Sequence, residues 1–258
     1  MTTKWDRKRS YWYYRAIEQS NYPEKAFTAM LPLLRVCESV IDIGAGCGAL
    51  SIPVAGKVRK VTAVEPSVWM YNLLLKRAKD ARIKNIKAFN TGWKRTRLQG
   101  NLHRELKPHD MVICANLPHH IICNINFLEY IKKLSKKFIV YIQNAGGWNR
   151  FYYKELYPLL LKKRYSNECD YINTYSFLHK HQILANVKIF EYSLDQPFED
   201  FDEALDFWRH RLGLKLTPEK ERLLVHFLRK KLAPYSQRPY TLTAPFGLRR
   251  AAMMWWEV

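Results

Sequence analysis

Apolar positions along the chain follow two periods. Short runs of apolar and β-branched residues occur at 39–43, 60–64, 84–89, 110–114 and 138–142, each bounded by polar or turn residues. They read as strands buried on both faces. Between them the apolar positions switch to helical spacing. Helices are predicted over 49–56, from a Ser67 cap to about 81, and over 120–134. Two more precede the first strand, an aromatic-rich one over 4–18 and one over 22–35 with Phe27, Met30, Leu31 and Leu34 in register. Strands alternating with helices at this spacing predict an α/β chain with a doubly wound, mostly parallel sheet.

After residue 145 the pattern thins. Gly146-Gly147 marks a loop, 151–163 and 173–184 carry helical spacing, and 186–192 reads as a sixth strand. Phe201, Leu205, Trp208 and Leu212 form an amphipathic stripe. Thr217-Pro218-Glu219 starts a further helix that runs to about 232, with a cap, a proline at the first helical position and an early acid. The final 251–258 reads as a buried seventh strand. The expected architecture is therefore a seven-stranded Rossmann-like sheet with N-terminal helices and a helical insertion before the last strand. One domain over 1–258 divides into helices at 1–35, an α/β core at 36–194, the insertion at 195–233 and a last-strand region at 234–258.

The run Ser39-Val40-Ile41-Asp42-Ile43-Gly44-Ala45-Gly46-Cys47-Gly48 carries the most chemistry. An apolar strand meets an acid and then three glycines at alternate positions. Glycine is required where φ is positive or where a ligand touches the backbone, and the amides opening the next helix point at whatever lies over the turn. The second strand ends in Glu65-Pro66, where a carboxylate can grip ribose hydroxyls. An adenosine-containing ligand at the carboxyl edge of the sheet follows. Gly44, Gly46 and Ala49 also satisfy the dinucleotide fingerprint G-x-G-x-x-G/A. Asp42 argues against it, since it would repel a pyrophosphate and welcome a cationic amino acid.

The order Asp-x-Gly-x-Gly-x-Gly followed by Glu65 resembles the class I S-adenosylmethionine-dependent methyltransferases, over roughly residues 20–145. The resemblance implies S-adenosylmethionine as cofactor, held by Asp42, Gly44, Gly46, Gly48, Glu65 and Pro66. The acid that usually contacts adenine after the third strand is missing here, where the sequence reads Phe89-Asn90-Thr91-Gly92-Trp93. Asn90, or the backbone with Trp93, is expected in its place.

The fourth strand delivers Asn116-Leu117-Pro118-His119 to the same edge. This segment is similar to the N-L-P-aromatic motif of amino-methyltransferases, closest to the adenine-N6 dimethyltransferases of ribosomal RNA. That likeness implies Asn116 as an acceptor of hydrogen bonds from an exocyclic amine and His119 as a stacking group in place of the aromatic, or as a general base. The dimethyladenosine enzymes carry their extra helices after the seventh strand, whereas this chain inserts them before it. Three readings stay open: a nitrogen methyltransferase with RNA as the candidate acceptor, a small-molecule methyltransferase with a pocket closed by the aromatics of 5–14 and the inserted helices, and a non-catalytic binder of the cofactor on the same fold.

Charge bears on that choice. The 258 residues carry a formal net charge of +20, a field that attracts polyanions. The excess recurs at 76–107, 132–137, 162–164, 229–231 and 249–250 rather than in one tail. A solvated basic surface explains it equally well. The cysteines at 37, 47, 114, 123 and 169 form no C-x-x-C pair, and the histidine pairs 119/120 and 179/181 are poorly spaced for chelation. No metal is expected. Without an apolar N-terminal signal core or an 18-residue apolar run, a cytoplasmic location and no membrane partner are expected.

Overall fold

The computed structural model describes residues 5–93, 106–146, 150–166, 170–213 and 216–258. Helices α1 (Arg7–Glu18) and α2 (Tyr22–Leu34) precede β1 (Ser39–Ile43). Then follow α3 (Ser51–Ala55), β2 (Lys60–Val64), α4 (Val68–Asp80), β3 (Ile86–Phe89) and β4 (His109–Ala115). Next come α5 (His119–Ile122), α6 (Ile125–Lys132), β5 (Ser135–Asn144), α7 (Tyr153–Leu161), α8 (Tyr171–Lys180) and β6 (Asn186–Ser193). The last part holds β7 (Gln196–Phe198), α9 (Phe201–Leu212), α10 (Pro218–Lys231), β8 (Ala233–Pro234), β9 (Leu242–Ala244) and β10 (Leu248–Glu257).

Seven strands form one sheet in the order β3-β2-β1-β4-β5-β10-β6. The pairings among β1 to β5 are parallel, and β10 runs antiparallel to both β5 and β6. The seven-stranded, mostly parallel sheet expected from the sequence is present, with the helices α9 and α10 ahead of the last strand. The chain winds outward from β1 to β3, then returns to lay β4 on the other side of β1. That reversal opens a crevice at the carboxyl ends of β1 and β4, where α/β sheets bind ligands.

Alternate residues of the central strands feed opposite faces of the sheet. Val40, Met111, Ile113, Val140, Ile142 and Met253 enter one core with Tyr22, Met30 and Leu34 of α2. Ile41, Val112, Cys114, Ile139, Tyr141 and Trp256 enter the other with Phe127, Leu128 and Ile131 of α6.

Two features differ from the sequence expectation. The helix predicted over 120–134 is broken into α5 and α6, because Asn124 is extended and its side chain caps Phe127 N at 3.2 Å. A local side-chain bond of this kind competes with the helical ladder. A second, three-stranded sheet, β7-β9-β8, was also not anticipated. Its strands are two or three residues long, too short to show a period.

The small sheet, α7, α9 and α10 surround a third core built on Phe198, Phe207, Trp208, Leu224 and Leu228. Trp12 of α1 enters this core edge-on to Phe207 at 5.2 Å and donates to Glu203 at 3.1 Å. Beside it the buried Arg15 guanidinium meets the carboxylates of both Glu199 and Glu203. The N-terminal helix is thereby locked to the insertion. The expected cost of Trp12→Ala is about 3–5 kcal/mol, the scale for a buried tryptophan. Urea unfolding followed by circular dichroism measures it, and a loss below about 1 kcal/mol would show that α1 is not anchored in this core.

Candidate active site

The turn after β1 is shaped by three glycines with positive φ: Gly44 at 76°, Gly46 at 57° and Gly48 at 79°. Each has its own neighbourhood. A Cβ on Gly44 would lie 2.3 Å from Leu117 Cδ2, so this glycine lets the turn pass over the loop after β4. A Cβ on Gly46 would meet nothing within 4 Å, so the backbone there borders open space. A Cβ on Gly48 would press on Leu74 and Ile52 at 3.1–3.4 Å.

The turn is tied down on several sides. The amides of Gly44 and Ala45 donate to Val64 O at 2.8 and 3.2 Å. Glu65, 5% exposed, accepts from Gly46 N at 2.8 Å through one oxygen and from Ser67 N at 2.7 Å through the other. Arg77 of α4 donates to Cys47 O at 2.9 Å and pairs with Glu18 of α1 at 2.7 Å. Ser67 Oγ donates to Trp5 O at 3.1 Å, which brings the N-terminal segment over the start of α4.

Two carboxylates are therefore buried close together. Asp42 accepts from Ser51 Oγ at 2.6 Å, and burial raises its pKa to about 6. Burial also raises the Glu65 pKa to about 7; the two backbone amides lower it, and the Asp42 charge adds to the rise. A carboxylate half-protonated near neutral pH stands at the end of β2, beside the open backbone of Gly46.

The neighbouring loop after β3 closes this region. Asn90 Nδ2 donates to Glu65 O at 2.9 Å. Gly92 lies against Pro66, with a Cβ there 3.6 Å from Pro66 Cβ. Trp93 is half-buried and packs edge-on to Phe127 at 5.3 Å. Of the predicted cofactor residues, Gly44, Gly46, Glu65 and Pro66 stand together at the carboxyl ends of β1 and β2, with Asn90 and Trp93 on the loop beside them, whereas Asp42 and Gly48 are buried beneath the turn.

Across the crevice, Asn116 follows β4 with a positive φ of 54°, a conformation asparagine tolerates better than most residues. Its backbone amide donates to Ile142 O at 2.8 Å, and its Nδ2 donates to the buried Tyr22 hydroxyl at 2.9 Å. No hydrogen bond engages its side-chain oxygen among the described residues. Asn116, Pro118 and His119 are exposed. His119 Nε2 lies 3.3 Å from Cys123 Sγ, which also approaches Thr174 Oγ1 at 3.7 Å.

Sequence reasoning missed Tyr22, Ser51 and Arg77. None lies in a motif, since each acts on the site from another helix. Part of the basic surface lies at the opposite edge of the sheet. Lys60, Lys107, Lys136 and Lys137 are exposed near the amino ends of β2, β4 and β5, away from the glycine turn. The basic stretch at 94–105 and Cys169 lie outside the described residues. Among the described residues no group of three or more His, Cys, Asp or Glu side chains could hold a metal, and no helix is long and apolar enough to cross a membrane.

Residues 33–143, which contain the glycine turn, Glu65 and the Asn116 loop, match the family model of ribosomal RNA adenine dimethylase. Over 91 residues the chain is 29% identical to a ribosomal RNA small subunit methyltransferase A from Desulforapulum autotrophicum. That alignment covers 35% of this chain and 31% of the relative, so it spans under a third of the relative's length. Among solved structures, a Bacillus halodurans C-125 chain described as a methyltransferase superposes with a TM-score of 0.51 at 13% identity. The superposition covers 90% of this chain and 98% of that one. The chain thus shares its fold with that methyltransferase, and the segment that carries its motifs is similar to the ribosomal RNA adenine dimethylases.

Two expectations follow. Gly46→Ala should cost only the strain of a left-handed alanine, about 1–2 kcal/mol, yet sharply weaken S-adenosylhomocysteine binding because its methyl enters the open space. Gly44→Ala should cost more stability, since it also displaces Leu117. Denaturation and calorimetry on both variants separate these effects; equal cofactor affinity in Gly46→Ala and wild type would contradict the placement.

The second expectation concerns pH. Raised folded-state pKa values mean that the Glu65 and Asp42 contributions to stability are full below about pH 4 and are lost as pH rises through about 6–7. Ligand binding should have the opposite sign under the sequence expectation that an ionised Glu65 accepts from ribose hydroxyls. S-adenosylhomocysteine affinity should fall as pH drops below about 7, and Glu65→Gln should bind weakly with a flat profile between pH 5.5 and 8. A wild-type profile as flat as that of the variant would remove Glu65 from the ribose site.

Proposed function

We propose that the chain transfers a methyl group from S-adenosylmethionine to the exocyclic nitrogen of an adenine in RNA. The observation that carries this reading is the Asn116 amide. Its nitrogen is taken by Tyr22, so its oxygen is oriented to accept from an amine at the carboxyl edge of β4, across from the glycine turn. The residues present fit the cofactor: open backbone at Gly46, a carboxylate at Glu65 for the ribose, and Asp42 as the acid nearest a cationic amino-acid end.

When bound, S-adenosylmethionine supplies an electrophilic methyl carbon on a positively charged sulfur. Asn116 Oδ1 accepts one amine N–H and turns the nitrogen lone pair toward that carbon. Positioning of this kind supplies much of the rate in a direct displacement. The nitrogen–carbon bond forms as the sulfur–carbon bond breaks, and the amine gives up a proton. His119, exposed at the start of α5, is placed to stack on the base or to take that proton. The exposure of Asn116, Pro118 and His119 favours a large acceptor at an open mouth over a small molecule in a closed pocket. An RNA acceptor also accords with the net charge of +20 and with a cytoplasmic site of action.

Labelled-methyl transfer from S-adenosylmethionine to RNA, followed by nucleoside analysis, tests the reading. Methylated adenosine is the expected product. Asn116→Ala should lower transfer by about 10²-fold, the scale of lost positioning, with S-adenosylhomocysteine affinity within a factor of two of wild type. Tyr22→Phe should lower kcat by a smaller factor without changing cofactor affinity. Transfer only to small molecules, or full activity in Asn116→Ala, would overturn it.

A further inference from the structure

Helices α1 and α4 face each other across an open groove beside the cofactor crevice. Arg7, Ser10 and Tyr11 of α1 line one wall, and Trp69, Asn72, Leu73 and Lys76 of α4 line the other. The spacings i, i+3, i+4 and i, i+3, i+4, i+7 make each set one stripe of its helix. Trp69 stands on the first turn of α4, four residues after Glu65, so the groove opens on the carboxyl edge of the sheet.

Three properties set this groove apart from a packing seam. Tyr11 and Trp69 remain 47% and 43% exposed, with Val68 beside them at 49%. The Ser10 hydroxyl is buried and has no hydrogen-bond partner, a cost that a polar ligand would relieve. The rims are cationic. Lys76 is shared with Asp80 at 3.1 Å, while Arg7 makes no ion pair among the described residues.

We propose that this groove binds a single-stranded RNA segment flanking the acceptor base, with a base stacked on Trp69, the edge of Tyr11 (whose ring already carries the Arg15 guanidinium at 4.5 Å) lining the wall, and phosphates met by Arg7 and Lys76. Aromatic faces with cations along a track are the chemistry of single-strand recognition, because every base has a π-face and every linkage a charge. An apolar peptide helix would use the aromatics and leave the cations unused. The inference rests on the RNA reading above and adds where the strand runs.

Fluorescence anisotropy of a labelled 20-nucleotide polyuridylate with the full-length chain reads the groove directly, and calorimetry with S-adenosylhomocysteine reads the cofactor site in parallel. Trp69→Ala should weaken oligonucleotide binding about tenfold or more, and Trp69→Phe should recover most of it. Arg7→Glu should weaken binding and lessen its dependence on salt, since fewer counterions are released. None of the three should change S-adenosylhomocysteine affinity. Unchanged oligonucleotide affinity in Trp69→Ala overturns the proposal. So does a loss that Trp69→Phe does not recover, or self-association in sedimentation that Trp69→Ala abolishes, which would seat a second copy in the groove. If wild type binds the oligonucleotide but not S-adenosylhomocysteine, the methyltransferase reading fails and the groove stands. The reverse result leaves that reading intact and removes the groove.

Discussion

The Glu65 carboxylate bonded to Gly46 N is the contact on which the site depends. It joins the ends of β1 and β2 through a group that burial keeps close to protonation at neutral pH. The turn it holds has three positive-φ glycines and could relax into many shapes as free chain. Val64 O, Glu65 and Arg77 remove that freedom, each from an element that follows the turn in sequence. Arg77 extends the constraint to Glu18, so α1 is part of the same unit.

A second constraint works across the crevice. Leu117 fits under Gly44 because no Cβ is there, which sets how closely the loops after β1 and β4 approach. Asn116 is then oriented by Tyr22, a residue of α2 whose ring is buried against Tyr192 of β6 at 4.9 Å. The Asn116 amide is thus fixed from outside its own loop. Any motion of α2 against the sheet would reach Asn116 through that single hydroxyl.

The insertion adds rigidity to α1. Trp12 and Arg15 anchor α1 in the third core, and the Arg15 guanidinium lies over the Tyr11 ring at 4.5 Å, while Tyr11 also borders the groove toward α4. One helix therefore serves two partners, and the aromatic cluster of 5–14 is divided between packing and exposure. The three-stranded sheet closes this core; its register places Pro197 beside Thr243.

Much of this was legible in the sequence. The strand periods, the glycine spacing after Asp42, the terminal Glu65 and the Asn116 loop are local patterns, and local sterics and pleat geometry fix them wherever the chain folds. They were enough to give the parallel sheet and to bring the loops after β1, β2 and β4 to its carboxyl edge. The sequence could not give the break at Asn124, because capping and helix propagation compete closely there and packing against β5 decides. Nor could it give the small sheet, whose strands are too short to show a period. Tyr22, Ser51 and Arg77 reach the site from other elements, and the division of the N-terminal aromatics depends on what each helix face meets. Those outcomes come from contacts between residues far apart in the chain, where burial rather than spacing determines which group stays charged, which is bonded and which faces solvent.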